Sequence, residues 1–296
     1  MEYQTPLPPA EAEAAAKNDF PGEGNETRMI MAALSTLPPH NLAALTSSIL
    51  SLADARRRRL SALLTSPAAF SLALAHLHSL SLPQKTHLVA KHLLSSLHHL
   101  TSHFSPPPPP PPAAFFHHRD ADAALLLLLL CDLLHRHPDL LDATPYDHWR
   151  LALAAHYRAG SVLSHREIGV FYGGVLTPYV ELVSRCWRFV TGDGRGEKKA
   201  EAPAAPAAVV ALPSVDGGGG GGGGECVVCK EAMEEGRDVC ELPCRHLFHW
   251  SCILPWLVKR NTCPCCRFQL PTEDVGGEIR RLWGFLVDAA GCGAAV

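Results

Sequence analysis

The sequence predicts a mostly α protein: an all-helical N-terminal domain, a flexible glycine-rich linker and a small C-terminal module held together by zinc. Three observations carry this. Residues 28–192 repeat leucine, valine and isoleucine at three- and four-residue spacing, residues 217–224 are all glycine, and residues 226–266 hold closely spaced pairs of cysteine and histidine. With 47% apolar residues in 296, the chain can build one or two cores. A net charge of −3 leaves no basic excess to draw the whole chain to nucleic acid or anionic lipid.

Residues 1–27 are rich in Pro, Ala and Glu with no apolar period, so they are expected to be disordered. The opening "MEYQTPLPPAEAEAAAKNDF" lacks a charged-then-apolar leader, and no secretory signal is read there. The eleven cysteines then point to a reducing compartment, the cytoplasm and/or nucleus, where clustered thiols favour metal over disulfides.

From residue 28 to 192 six or seven short helices are expected. Leu42, Leu45, Ile49 and Leu52 share one face behind Asn41 as N-cap, and Val89, Leu93, Leu97, Leu100 and Phe104 share another. Ser66-Pro67, Thr144-Pro145 and Thr177-Pro178 each offer a capping hydroxyl with proline at the first helical position. Ser164 and Glu167 have capping-box spacing, and Gly160 and Gly173-Gly174 mark breaks. Arg56 to Arg59 read as a solvated face, and the scattered histidines (His76, His78, His87, His92, His98, His99) as surface residues. The apolar run 123–131 is fenced by Asp122 and Asp132; it is too short to span a bilayer and reads as a buried helix. Prolines 106–112 interrupt the domain with a stiff polyproline segment.

Residues 193–224 turn to Gly, Ala, Pro and charge. As a coil they span roughly 30 Å, which would make whatever follows a separate, mobile module. That module, residues 225–270, carries in order Cys226, Cys229, Cys244, His246, His249, Cys252, Cys263 and Cys266. Taken in twos, each pair is a chelate: Cys-x2-Cys, Cys-x-His, His-x2-Cys, Cys-x2-Cys. Thiolate and imidazole at such spacing suit tetrahedral zinc, and eight ligands fill two ions. A segment this short cannot fold on apolar burial alone, so metal supplies the folding energy. No ligand position is left open, so the zincs are structural. A redox CxxC belongs in a strand–helix setting, not after a glycine run. Cys240 and Cys265 are left over without a neighbouring base, although Cys265 sits beside Cys266 as a competing ligand. In the tail, 271–296, Ile279, Leu282, Phe285 and Leu286 line one face of a short amphipathic helix that packs on the module or pairs two copies.

The ligand order resembles the RING finger in its RING-H2 form, over residues 225–270 only. The resemblance implies a ββα module with a cross-braced pairing: Cys226, Cys229, His249 and Cys252 on one zinc, and Cys244, His246, Cys263 and Cys266 on the other. It further implies a ubiquitin ligase without a catalytic cysteine, which docks a ubiquitin-charged conjugating enzyme. By the same resemblance Val228, Trp256 and Pro264 form the apolar contact with that enzyme, and Arg267 clasps enzyme and ubiquitin together. Substrate choice falls by elimination to residues 28–192. A RING-bearing adaptor without ligase activity is the alternative, against which these four residues argue. A nucleic-acid binder is disfavoured because residues 225–274 carry eight acidic and six basic side chains.

Overall fold

In α4 (Leu82–Thr101), Val89, Leu93, Leu97 and Leu100 recur every three or four residues, and all four are buried with Phe104 just beyond the helix. This stripe is the spine of the N-terminal body. The computed structural model describes residues 23–104, 118–140, 148–160, 173–192, 202–215, 225–233 and 238–292, with Pro145 and Leu163. Around α4 lie α1 (Glu23–Ser35), α2 (Pro39–Thr65), α3 (Pro67–Ser79), α5 (His118–Arg136), α6 (Trp149–Gly160) and α7 (Gly173–Thr191). The polyproline segment, the glycine run, Thr144 and the Ser164–Glu167 pair lie outside the described residues.

Two cores share these helices. In the first, Ile30 of α1, Leu45 and Ile49 of α2, and Val180 and Val183 of α7 close on the α4 stripe. In the second, the C-terminal half of α2 and helices α3 and α6 pack on Leu126, Leu129 and Leu133 of α5. Helix α5 lies between them, with Leu128 facing the first core. It is apolar on nearly every side because it is covered on nearly every side.

Several expectations change. Helix α1 begins at Glu23, inside the stretch expected to be disordered, because Ile30, Ala33 and Leu34 bury one face. Asn41 does not cap α2, which starts at Pro39; its amide donates to the His103 carbonyl at 2.9 Å and ties α2 to the end of α4. Ser66 does cap α3, accepting from the Ala69 amide at 3.2 Å. Thr177-Pro178 lies within α7: Leu176, Tyr179, Val180 and Val183 form one buried face whose packing outweighs the amide that proline lacks. In the arginine run only Arg57 and Arg58 are exposed; Arg59 pairs with Asp122, and Arg56 lies over the Tyr179 ring at 5.4 Å. His92 and His156 are buried, the latter 3.0 Å from buried Asp132, which also holds Arg185 at 3.1 Å.

The largest departures flank the cysteine module. Residues 202–215, placed in the linker by composition, run along the module as α8 (Pro206–Val210) and β1 (Ser214–Val215). Ala204 donates to Leu257, Ala205 to Pro271, and Asn261 to Ala202, at 2.8–2.9 Å, while Leu212 enters the module's core. Beyond the module, α10 (Val275–Cys292) turns its apolar face to the helical body and not to the core of the module. Ile279, Leu282 and Leu286 complete the first core between α1 and α4. Trp283 stacks on Trp187 at 4.0 Å, and Phe285 meets Phe104 edge-on at 5.3 Å. The module is therefore inserted between two helices of one body and is held at its C-terminal end. No single helix among the described residues is long and apolar enough to cross a membrane.

Candidate metal centre

Three tight turns present the ligands, the outer two closed by an amide four residues beyond the acceptor carbonyl and the middle one by an amide three residues beyond it. In the first, Lys230 donates its amide to Cys226 at 2.7 Å; in the second, Arg245 donates to Leu242 at 2.8 Å; in the third, Arg267 donates to Cys263 at 2.9 Å. Each turn ends on a non-glycine residue at positive φ: Lys230 at 65°, Arg245 at 66° and Arg267 at 62°. Left-handed backbone costs such residues about 1 kcal/mol each, and it persists where surrounding structure dictates it. Bridges Glu225↔Ala232 and Thr262↔Gln269 brace the outer two turns.

Between them, β2 (Val239–Glu241) and β3 (Leu247–His249) pair antiparallel with Cys240 opposite Phe248, and β1 extends the sheet on the β2 side. The hairpin carries His246 and His249 to opposite ends of β3. Helix α9 (Trp250–Leu257) follows at once and supplies Cys252 in its first turn. Phe248, Ile253, Leu257 and Leu270 fill the small core beneath. This is too little apolar burial for independent stability.

The eight side chains gather in two groups, Cys226–Cys229–His249–Cys252 and Cys244–His246–Cys263–Cys266, with the donor atoms of each group within 4.8 Å of one another. His249 Nδ1 lies 3.4 Å from Cys229 Sγ, and His246 Nδ1 lies 3.4 Å from Cys244 Sγ. Sulfur and nitrogen bound tetrahedrally to one zinc stand about 3.6 Å apart, so both edges fit that ion. The thiols are set unevenly. Burial alone would raise Cys226, but the amides of Cys229, His249 and Val228 point at its sulfur and draw it down to about 6. Cys244 and Cys252 are pushed up to about 12 and about 11, by burial first and then by the thiols beside them. A cluster that cannot ionise fully by itself needs a divalent cation to balance it. With four protein donors per group, the zincs hold the fold and leave no position for catalysis.

Cys265 is exposed and outside both groups, while Cys266 takes the ligand position; Cys240 is core packing, its thiol pushed up to about 11 by burial. The four remaining site residues separate. Trp256, Pro264 and Arg267 line one cleft of about 670 Å³. The Trp256 indole is pinned by a 2.7 Å hydrogen bond to the Thr262 carbonyl, with Arg260 over its ring at 4.9 Å. Val228 is exposed on the first turn and is not among the residues lining that cleft. Sequence reasoning missed the 202–215 strap, whose signal is Val209, Val210, Leu212 and Val215 in an otherwise Pro- and Ala-rich stretch.

Interleaved ligands around a ββα core define a two-zinc cross-brace. The family described as Ring finger domain matches residues 224–267. The chain is 50% identical over 280 residues to "E3 ubiquitin-protein ligase SGR9, amyloplastic" of Arabidopsis thaliana, covering 90% of this chain and 98% of that one. It is 46% identical over 81 residues to the Arabidopsis thaliana "E3 ubiquitin-protein ligase RING1-like", covering 26% of this chain and 25% of that one. To "E3 ubiquitin-protein ligase RNF181" of Rattus norvegicus it is 50% identical over 72 residues, 24% of this chain and 44% of that one. These last two matches span less than half the length of those relatives. The chain belongs to the RING-type E3 ubiquitin-protein ligases, and within them it shares its helical body as well as its zinc module with the first of these relatives.

Proposed function

We propose that the face formed by Val228, Trp256 and Pro264 docks a ubiquitin-charged conjugating enzyme, and that Arg267 clasps enzyme and ubiquitin together. The observation that carries this reading is the convergence of Trp256, Pro264 and Arg267 on one cleft. Its apolar part is small, which suits a partner that must arrive charged and leave spent. The indole is fixed by Thr262, so docking orders little. Arg267 leaves its turn from a backbone locked at positive φ, which aims the side chain, and its planar fork can bridge acceptors on two partners.

The reaction needs no covalent step on this chain. A substrate lysine amine attacks the thioester carbonyl of the carried ubiquitin, an amide forms, and the conjugating enzyme's cysteine leaves as thiolate. The ligase contributes position: restricting the thioester to attack-ready geometry removes the entropy of finding it. Zinc maintains the turns that hold Val228, Pro264 and Arg267 in place.

Substrate recognition is proposed for the helical body, residues 28–192, since the zinc module's face is occupied. For location, the cysteine usage supports the cytoplasm and/or nucleus and the relative's name supports the amyloplast; a fluorescent fusion distinguishes the two, a diffuse signal favouring the first and a plastid signal the second. The docking reading is tested by autoubiquitination with purified wild type, Trp256→Ala and Arg267→Ala, with zinc content measured alongside. Both variants should lose activity and keep two zincs. Wild-type activity in both, with zinc retained, refutes the assignment.

A further inference from the structure

The cleft that holds Trp256, Pro264 and Arg267 has a second wall, and that wall is not part of the zinc module. It is α10, through Gly277, Arg280 and Gly284. These three stand at i, i+3 and i+7, one stripe of the helix, while Ile279, Leu282, Trp283 and Leu286 bury the other side in the helical body. We infer that α10 is the outer half of the ubiquitin-docking cleft, with Arg280 as a second cation, after Arg267, for the ubiquitin carried on the conjugating enzyme. This rests on the docking reading above and extends it to a helix of the N-terminal body.

Charge supports that occupant. Arg260, Arg267 and Arg280 all line the cleft, and among the described residues that line it none is Asp or Glu. Such a site suits a chain segment rich in carbonyl and carboxylate acceptors. Continuity supports it as well: Arg280 follows Arg267 by thirteen residues, through a joint in which Thr272 is buried and its amide donates to Glu278 at 3.2 Å. Arg281 holds the same Glu278 at 2.6 and 2.8 Å, so the start of α10 is fixed relative to the third zinc turn. Among the described residues, Arg280 pairs with Asp274 at 3.9 Å.

Gly284 is the third support. It lies inside α10, where glycine weakens a helix, yet a Cβ there would meet nothing within 4 Å. Packing does not require its small size, and a side chain there would project into the cleft that Gly284 lines. Gly277 differs, since a Cβ there would come within 2.9 Å of Asp274 Oδ2, which caps the helix. The body therefore does more than select substrate: it supplies part of the face on which ubiquitin is transferred.

The test uses the full chain in a single-turnover assay, in which a conjugating enzyme that supports wild-type activity is loaded with ubiquitin and discharged onto free lysine. Arg280→Glu should slow discharge about tenfold, the rate equivalent of one charge-assisted hydrogen bond. It should leave the affinity for the uncharged enzyme unchanged. Gly284→Leu, which favours the helix and fills the cleft, should slow discharge while raising the melting temperature. Discharge at or above the wild-type rate in both variants, while Trp256→Ala and Arg267→Ala lose it, overturns the role of α10 alone. Unchanged discharge in all four variants overturns the docking reading itself.

Discussion

Replacing Trp283 by alanine tests whether the tail helix is part of the helical body. Its ring is buried, parallel to Trp187 within 5° and 4.0 Å away, on the α10 face that also carries Ile279 and Leu282. Truncating a core aromatic costs about 3–5 kcal/mol, within which a stacked pair accounts for about 0.5–1.5 kcal/mol. Trp187 is only partly buried, so water can enter the space left, and the low end, about 3 kcal/mol, is expected. With a urea dependence of about 1–3 kcal/mol per molar, that moves the midpoint by about 1 M or more. The measurement is a urea titration followed by helical circular dichroism. Val287→Ala on the exposed side of α10 serves as control and should change stability by less than about 0.5 kcal/mol. Coincident midpoints for Trp283→Ala and Val287→Ala would show that α10 is not docked, and the insertion of the zinc module within the body would fall with it.

His249→Ala should lose the first zinc and unravel the β2–β3 hairpin while the helical signal remains, which is read as fewer than two zincs per chain by atomic absorption; full zinc content refutes its place in the first group. Acid should destabilise the body through His98. Burial, reinforced by Arg281 and opposed by Glu278, pulls its imidazole down to about 4. Because the folded value lies below the unfolded value, the unfolded chain takes up the proton first. Stability is therefore full above about pH 6.5 and falls as pH drops toward 4, by about 2 kcal/mol between pH 7 and 5. Burial lowers His92 in the same direction, with Arg56 adding to it. His98→Gln should shrink the acid loss measured by denaturation at the two pH values, and an unchanged loss would exclude His98 as its source.

The zinc ligands were legible because metal chelation is a local property: short spacings such as Cys226–Cys229 and Cys263–Cys266 already bring donors within reach of one ion. The α4 stripe and the apolar α5 were legible for a similar reason, since burial imprints its period on the chain. The same reasoning identified the amphipathic face of α10 but not what covers it, because an apolar stripe carries no address. The Thr177-Pro178 cap failed because the packing of Val180 and Val183 outweighed a local preference.

By itself, then, the sequence determined the helices, the eight donors and the chemistry those donors can hold, all of which depend on residues a few positions apart. Only the tertiary structure decided that residues 202–215 strap the zinc module, that α10 belongs to the N-terminal body, and that Arg280 faces Arg267 across one cleft. Those facts depend on which distant apolar faces exclude water together, and hydrophobic burial is non-directional, so no local pattern could specify the partner.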